Sequence, residues 1–302
     1  DGLPTVGLTA TMMRGDKKKL GDVWQKIVYS RPIRWGIDNG YLVDVRGKSV
    51  TIAGLDLDNV KFTHGDYADQ ELATALELSN AAEATALAYL EHAADRQGVL
   101  FAPTVDSAFS FAKAFNAVGI VTAVIHAGTP IEDRRAVYRM YEAGTVQVLS
   151  NVNVLVEGWD APWASCCVIA RPTHSVGRYI QAVGRVLRPW PAGGKKDALV
   201  LDVVGASAKH SLAHIGVLCC TEDDEPIEVK DDETLSEAAE RASSELVEKK
   251  AGRLVLGDID LFRDRASNWL KTDGGVWFVP TYVADFFLWR AVDGTYTVGR
   301  QA

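Results

Sequence analysis

Between residues 97 and 204, short apolar runs alternate with stretches whose apolar residues recur at helical spacing, the pattern of a wound parallel α/β sheet. Val99, Leu100, Phe101 and Ala102 predict a buried strand, and residues 107–118 predict a helix. A strand at 121–125 and an amphipathic helix at 131–142 follow, the latter with Asp133, Arg134 and Arg135 in its first turns. Residues 146–149 predict a strand that ends in a turn at Ser150 and Asn151, and 166–170 predict another. A helix carrying Gln181, Arg185 and Arg188 comes next, then a strand at 198–203.

The flanks have a different pattern. A strand at 5–8 and a helix at 18–29 read as the end of a separate α/β unit, so a boundary is expected near residue 35. Residues 36–70 are rich in Gly and Asp, with two short β-like runs at 41–45 and 49–53, and read as a connecting segment. The Ala- and Leu-rich stretch 68–92 is helical and completes a connector spanning 36–96; the main unit is placed at 97–218, with a further helical stretch at 206–215. Residues 219–252 read as an acidic linker with an exposed helix at 235–250. In 253–302, Trp269, Trp277, Phe278, Tyr282, Phe286, Phe287, Trp289 and Tyr296 are punctuated by Gly-containing turns, which predicts a small antiparallel meander. A meander of that size needs large side chains to build a core, so most of these aromatics read as packing, with Trp269 and Trp277 as the candidates for stacking on unpaired bases.

Composition narrows the class. The chain has 302 residues and 47% apolar content, enough for more than one folding unit, and no apolar run of about 18 residues that would span a membrane. Its N-terminus lacks an initiator Met and the basic and apolar regions of a signal peptide, and is expected to be a cut through a longer protein. Residues 221–250 hold twelve acids against four bases, which accounts for the whole formal charge of −8 and leaves the remainder neutral. Overall acidity therefore says little against a nucleic-acid partner, which needs only a local positive track and aligned amides. The cysteines form two adjacent pairs, Cys166 with Cys167 and Cys219 with Cys220, without the C-x-x-C spacing of zinc sites; free thiols in a reducing compartment are expected, and no metal site.

The chemistry concentrates in Gln181, Gly184, Arg185 and Arg188. Two arginines three residues apart lie on one face of a helix, and their permanently charged, forked donors suit an oxyanion that gains charge as it is cleaved. This run resembles motif VI of superfamily 2 helicases. Thr9-Ala10-Thr11 is similar to motif III, with Met12 in place of the usual Pro. Leu100 to Thr104 resembles motif IV, His126-Ala127-Gly128-Thr129 the motif IVa turn, and Ser150 to Asp160, ending Glu-Gly-Trp-Asp, motif V of the XPB-like and restriction-motor branch.

The resemblance implies a RecA-like C-terminal lobe of a P-loop NTPase helicase, α/β with a parallel sheet, followed by the small β domain. It further implies that Arg185 contacts the γ-phosphate of ATP, that Arg188 is the arginine finger, and that Gln181 orients the phosphate or attacking water. Gly158, Gly184 and Asp160 would lie against the nucleotide, Thr9 and Thr11 would couple hydrolysis to strand movement, and Thr104, Gly128, Ser150 and Asn151 would hold nucleic-acid phosphates. The partner implied is DNA, single-stranded or forked, with RNA left open, together with an N-terminal RecA-like lobe of the same protein.

Plainer readings stand beside these. Thr104 also reads as a helix N-cap, Asp160 before Ala161-Pro162 as a turn former, Ser150 and Asn151 as a strand end without ligand, His126 as a structural histidine, and Asp133, Arg134 and Arg135 as a charged face. No G-x-x-x-x-G-K-[ST] and no D-E-x-[DH] occurs; Gly193-Gly194-Lys195-Lys196 has the wrong spacing. The cradle for the phosphates and Mg²⁺ is therefore expected on the other lobe, and the fragment alone is expected to be inactive. The alternatives are a non-hydrolysing accessory lobe that clamps nucleic acid or a partner, and the motor part of a restriction enzyme. A cytoplasmic setting in a bacterium or phage-infected cell is expected, away from membranes.

Overall fold

The computed structural model describes residues 7, 29, 31–63, 65–155, 159–205, 214–219 and 226–252, and the strand residues 270–271, 277–279, 285–290 and 296–301. Thr9, Thr11 and Gly158 lie outside the described residues, as do nearly all of the strand and helix expected before residue 30 and of the helix expected at 206–215.

In chain order the elements are α1 Ile33–Asp38, β1 Asp44–Ile52, β2 Phe62–Thr63, β3 Asp66–Tyr67, α2 Asp69–Leu78, α3 Ala81–His92, β4 Gly98–Phe101, α4 Val105–Ala117, β5 Thr122–Ile125, α5 Ile131–Glu142, β6 Val148–Asn151, β7 Cys166–Ile169, α6 Val176–Gly184, β8 Asp197–Gly205, α7 Leu235–Gly252, β9 Leu270–Lys271, β10 Trp277–Val279, β11 Asp285–Arg290 and β12 Tyr296–Gln301. Two compact units result, Asp1–Val247 and Glu248–Ala302. The smaller is a four-stranded antiparallel sheet in the order β12-β11-β10-β9.

The larger unit is built on a six-stranded parallel sheet in the order β1-β8-β7-β4-β6-β5. Every residue of β4, β6 and β7 is buried, as expected of central parallel strands covered on both faces. Successive strand residues point to opposite faces, so Leu100, Cys166, Val168 and Leu201 join a core under α3 and α4, while Val99, Cys167, Ile169 and Val200 join a second core with α5 and α6. The adjacent cysteines therefore look away from each other. Burial pushes the Cys166 thiol up to about 12, and Cys167 well above its ordinary value. Both are inert core groups.

Gly98 is needed at the start of β4. A Cβ there would meet the Tyr89 hydroxyl at 2.7 Å, where that hydroxyl donates to the Arg96 carbonyl at 2.6 Å.

Two stretches depart from the sequence reading. Residues 44–52 form one strand paired with β8 along its full length, so the expected connecting segment contributes an edge strand to the sheet. Val45 packs into the α5–α6 core and Val50 and Ile52 into the α3–α4 core. The buried face thus changes midway, and this breaks the alternation into two apparent runs. The second departure is at 231–234, within the stretch expected to be a linker. The Asp232 amide donates to the Gly47 carbonyl at 3.2 Å, the Ser49 amide to Asp231 Oδ1 at 3.2 Å, and Lys48 Nζ to Asp232 at 2.8 Å. The acidic segment thereby covers the open edge of β1. The run 68–92 is two helices rather than one, divided where Asn80 takes a left-handed φ of 52°.

Candidate functional site

Strand order sets where a ligand can sit. From β4 the chain runs through α4 to β5 on one side, whereas from β7 it runs through α6 to β8 on the other, so the carboxyl ends of the neighbours β4 and β7 form a switch point. A cavity of about 320 Å³ opens there, lined by Ala102, Arg171, Thr173, Arg178 and Gln181 among others.

Helix α6 starts at Ser175, whose hydroxyl caps the Arg178 amide at 3.4 Å, and buries Tyr179, Ala182 and Val183. Gln181 is left half-buried on the cavity wall. The helix stops at Gly184, so the two arginines do not share a helical face as the spacing predicts. Arg185, Val186 and Leu187 instead form a tighter turn of i→i−3 amide bonds, with Val186 and Leu187 fully buried. Burial of these two leaves Arg185 and Arg188 partly exposed.

Arg185 Nη1 donates to the Trp159 carbonyl at 3.1 Å, and Arg188 pairs with Asp160. The loop after β6 and the turn after α6 are thus brought together across 26 residues of sequence. Lys195 completes the arrangement: its ammonium donates to the carbonyls of Pro162, Ala164 and Arg188 at 2.6–2.9 Å. Burial first, and the Arg96 charge second, push this lysine down to about 8. Gly184 ends the helix half-exposed; a Cβ there would meet nothing within 4 Å, so the described fold does not itself require glycine.

The residues expected to hold phosphates are placed differently. Ser150 and Asn151 lie inside β6 at 0% exposure, not in a turn. The Ser150 hydroxyl donates to the Ala108 carbonyl at 2.9 Å; Asn151 donates to the Leu100 carbonyl at 2.8 Å and accepts from the Leu155 amide at 3.3 Å. Their side chains are spent on holding β4, β6 and α4 together and do not face solvent. Thr104 is the N-cap of α4 in a reciprocal capping box with Ser107. Gly128 is exposed, and its amide donates to His126 Nδ1 at 3.2 Å in a turn braced by Arg134, whose Nη2 donates to the carbonyls of His126, Ala127 and Thr129.

The chain matches the helicase conserved C-terminal domain over residues 81–189. Residues 81–189 are a helicase C-terminal domain. The chain is 28% identical over 210 residues to a 51.5 kDa protein of a Lactococcus phage, covering 70% of this chain and 45% of that one. It is 31% identical over 209 residues to a Saccharomyces cerevisiae protein named as an ATP-dependent helicase, IRC3, covering 68% of this chain and 30% of the yeast protein. It therefore spans less than half the length of these relatives. A fragment described as an HsdR subunit of a type I restriction enzyme from Vibrio vulnificus superposes with a TM-score of 0.55 at 21% identity, over 74% of this chain and 44% of that one, and so shares the fold.

In this helicase domain the sequence reading passed over several polar groups. Arg178 continues the stripe of Gln181, Arg185 and Arg188 one turn earlier, and its spacing could have identified it. Asp66, Asp69, Arg171 and Thr173 carry no local signal, because their partners lie about a hundred residues away. Among the described residues no three His, Cys, Asp or Glu side chains gather into a metal-binding group, and no helix is long and apolar enough to cross a membrane.

Proposed function

We propose that this chain is the arginine-finger half of an ATP-dependent superfamily 2 helicase or translocase acting on nucleic acid. The observation that carries the reading is the meeting of Arg185 and Arg188 with Trp159 and Asp160, one turn beyond Gln181, on a partly exposed surface. Two fixed, incompletely covered guanidiniums suit a polyphosphate, because charge and fork geometry are held before the ligand arrives. Bound ATP would supply the transferable phosphoryl group, with Mg²⁺ held mainly by another lobe.

Within this chain, Arg185 and Arg188 are the groups that offset negative charge, Gln181 orients the phosphate or the attacking water, and Asp160 keeps Arg188 extended. Gly158 would join them against the nucleotide. The proposed strand partner is DNA, single-stranded or forked, met at the exposed Gly128 turn and the α4 N-terminus at Thr104; the side chains of Ser150 and Asn151 contribute only through packing. The phage relative supports a setting in the cytoplasm of a bacterial or phage-infected cell.

The test is nucleic-acid-stimulated ATP turnover of the full-length protein with single-stranded, forked and duplex DNA and with RNA. Arg185→Ala or Arg188→Ala should lower turnover by about 10³ or more while nucleic-acid binding is kept. Wild-type turnover in both variants would sink the assignment.

A further inference from the structure

The hairpin formed by β2 and β3 holds a carboxylate three of whose four bonds lead toward α6. Asp66 is 7% exposed. Its Oδ2 accepts from the Thr173 hydroxyl at 2.6 Å and from Arg178 Nη1 at 3.2 Å, while its Oδ1 accepts from the His174 amide at 3.0 Å and from the Tyr67 amide at 3.0 Å. The Thr173 oxygen in turn accepts from the Ser175 amide at 3.0 Å, and Ser175 is the residue that caps α6. Three residues on, Asp69 pairs with Arg171 at 2.6 Å. The rings of Phe62 and Tyr67 pack on His174 with centroids 5.1 and 5.0 Å away. Two carboxylates and two aromatic rings from residues 62–69 therefore grip one stretch, 171–178, that leads from β7 into the first turn of α6.

The grip has a geometric consequence. A carboxylate that accepts from a hydroxyl, an amide and a guanidinium at once fixes the segment in three directions; the carboxylate and Thr173 are buried, while the Arg178 side chain stays about half exposed. Gln181 and Arg178 sit on adjacent turns of the same face of α6, and both line the cavity at the switch point. Displacing the first turn of α6 moves both, and Arg185 follows at the end of the same short helix.

We propose that Asp66 is a positioning residue for ATP hydrolysis, holding the N-terminal turn of α6 so that Gln181 meets its ligand at working distance. The proposal rests on the arginine-finger reading above. Asp66 touches neither Gln181 nor Arg185 and acts only through Thr173, His174 and Arg178. By the same grip, movement of the segment 62–69 is passed directly to the helix that carries the site.

The experiment uses the full-length protein with Asp66→Asn, which keeps the shape but replaces one accepting oxygen with an amide donor. Turnover at saturating nucleic acid should fall on the order of 10- to 100-fold, as expected for an ångström-scale misplacement, with the KM for ATP within about twofold of wild type. Hydrogen exchange, measured without nucleotide, should rise at the His174 amide and the first turn of α6 while β4 and β7 stay protected. In a Gln181→Ala background, Asp66→Asn should cost clearly less than in the wild type, since only the displacement of Arg178 and Arg185 remains.

An unchanged turnover, or an equal loss in both backgrounds, would overturn the proposal, since a merely structural carboxylate lowers activity whether or not Gln181 is present. Should Asp66→Asn fail to fold, Thr173→Val removes the hydroxyl's bonds to Asp66 and to the Ser175 amide and leaves the carboxylate in place; wild-type turnover there counts against the proposal equally. Arg185→Ala is run alongside. Full turnover in that variant and in Arg188→Ala ends the arginine-finger reading and the Asp66 role with it, whereas loss in Arg185→Ala with full turnover in Asp66→Asn ends the Asp66 role alone.

Discussion

Ser150 and Asn151 at the end of β6, and Arg185 and Arg188 after α6, are both polar groups inside motif-like stretches of a helicase C-terminal domain, and the fold treats them in opposite ways. The first pair is fully buried and makes its side-chain bonds to carbonyls and an amide of neighbouring elements. The second pair keeps part of its surface in solvent; among its contacts are the Trp159 carbonyl for Arg185 and an exposed carboxylate for Arg188, Asp160 being 62% accessible. An exposed ion pair contributes about 0–1 kcal/mol and can be exchanged for a ligand, whereas a buried amide that loses its partners costs several times that. Resemblance in sequence marks both regions; burial separates the side chains consumed by the core from those that stay partly in solvent.

The widest contrast is in turnover. Arg185→Ala in the full-length protein is expected to lose about 10³ in nucleic-acid-stimulated ATP hydrolysis. The same change should leave urea stability of this chain within about 1 kcal/mol of the parent.

A third polar group tests the buried side of the contrast through pH. Asp202 in β8 accepts from the Tyr179 hydroxyl at 2.8 Å, and among the described residues its other oxygen has no partner. Burial raises its carboxyl from an ordinary 3.8 to about 7. The folded chain therefore holds a proton that the unfolded chain releases. Stability from this group is full below pH 3.8 and is lost as pH climbs through 7. The effect is on the order of 4 kcal/mol at most. Urea titrations at pH 4, 5.5 and 7 should show that slope shrinking in Asp202→Asn; an identical slope in the variant would remove Asp202 as its source.

Asn151→Leu should destabilise the chain by about 2–3 kcal/mol, because the Leu155 amide loses its acceptor and the Leu100 carbonyl a donor. A variant as stable as its parent would mean that the buried bonds matter less than the contrast requires. The smallest effect is at Gly184. Alanine there should raise stability by roughly 0.5–1 kcal/mol, since it meets no neighbour and limits the unfolded chain. In the full-length protein it should lower turnover several-fold if a ligand approaches this surface. Gain in stability without loss of turnover would show that the glycine is not there for a ligand.

Much of the fold was legible because it repeats a short-range rule. The helix at 131–142 and the strands at 99–102 and 198–203 match α5, β4 and β8 within two residues at each end, since hydrophobic periodicity reports burial locally. β1 was read as two runs of a connector because its buried face changes midway, which depends on what packs over each half. Gln181, Arg185 and Arg188 were singled out by spacing, but the end of α6 at Gly184 was not foreseen. Asp66, Arg171 and Thr173 were invisible, because a carboxylate acquires meaning only when the chain brings partners to it from 107 residues away.

The sequence alone determined the parallel α/β order, the identity of the candidate arginines and the class of chemistry their charge permits. Periodicity and side-chain chemistry are local and do not wait on the rest of the chain. Tertiary structure decided which polar residues are consumed by the core, which remain partly exposed, and which distant carboxylates hold α6 in place. Burial and hydrogen bonding depend on neighbours that no local window of sequence contains.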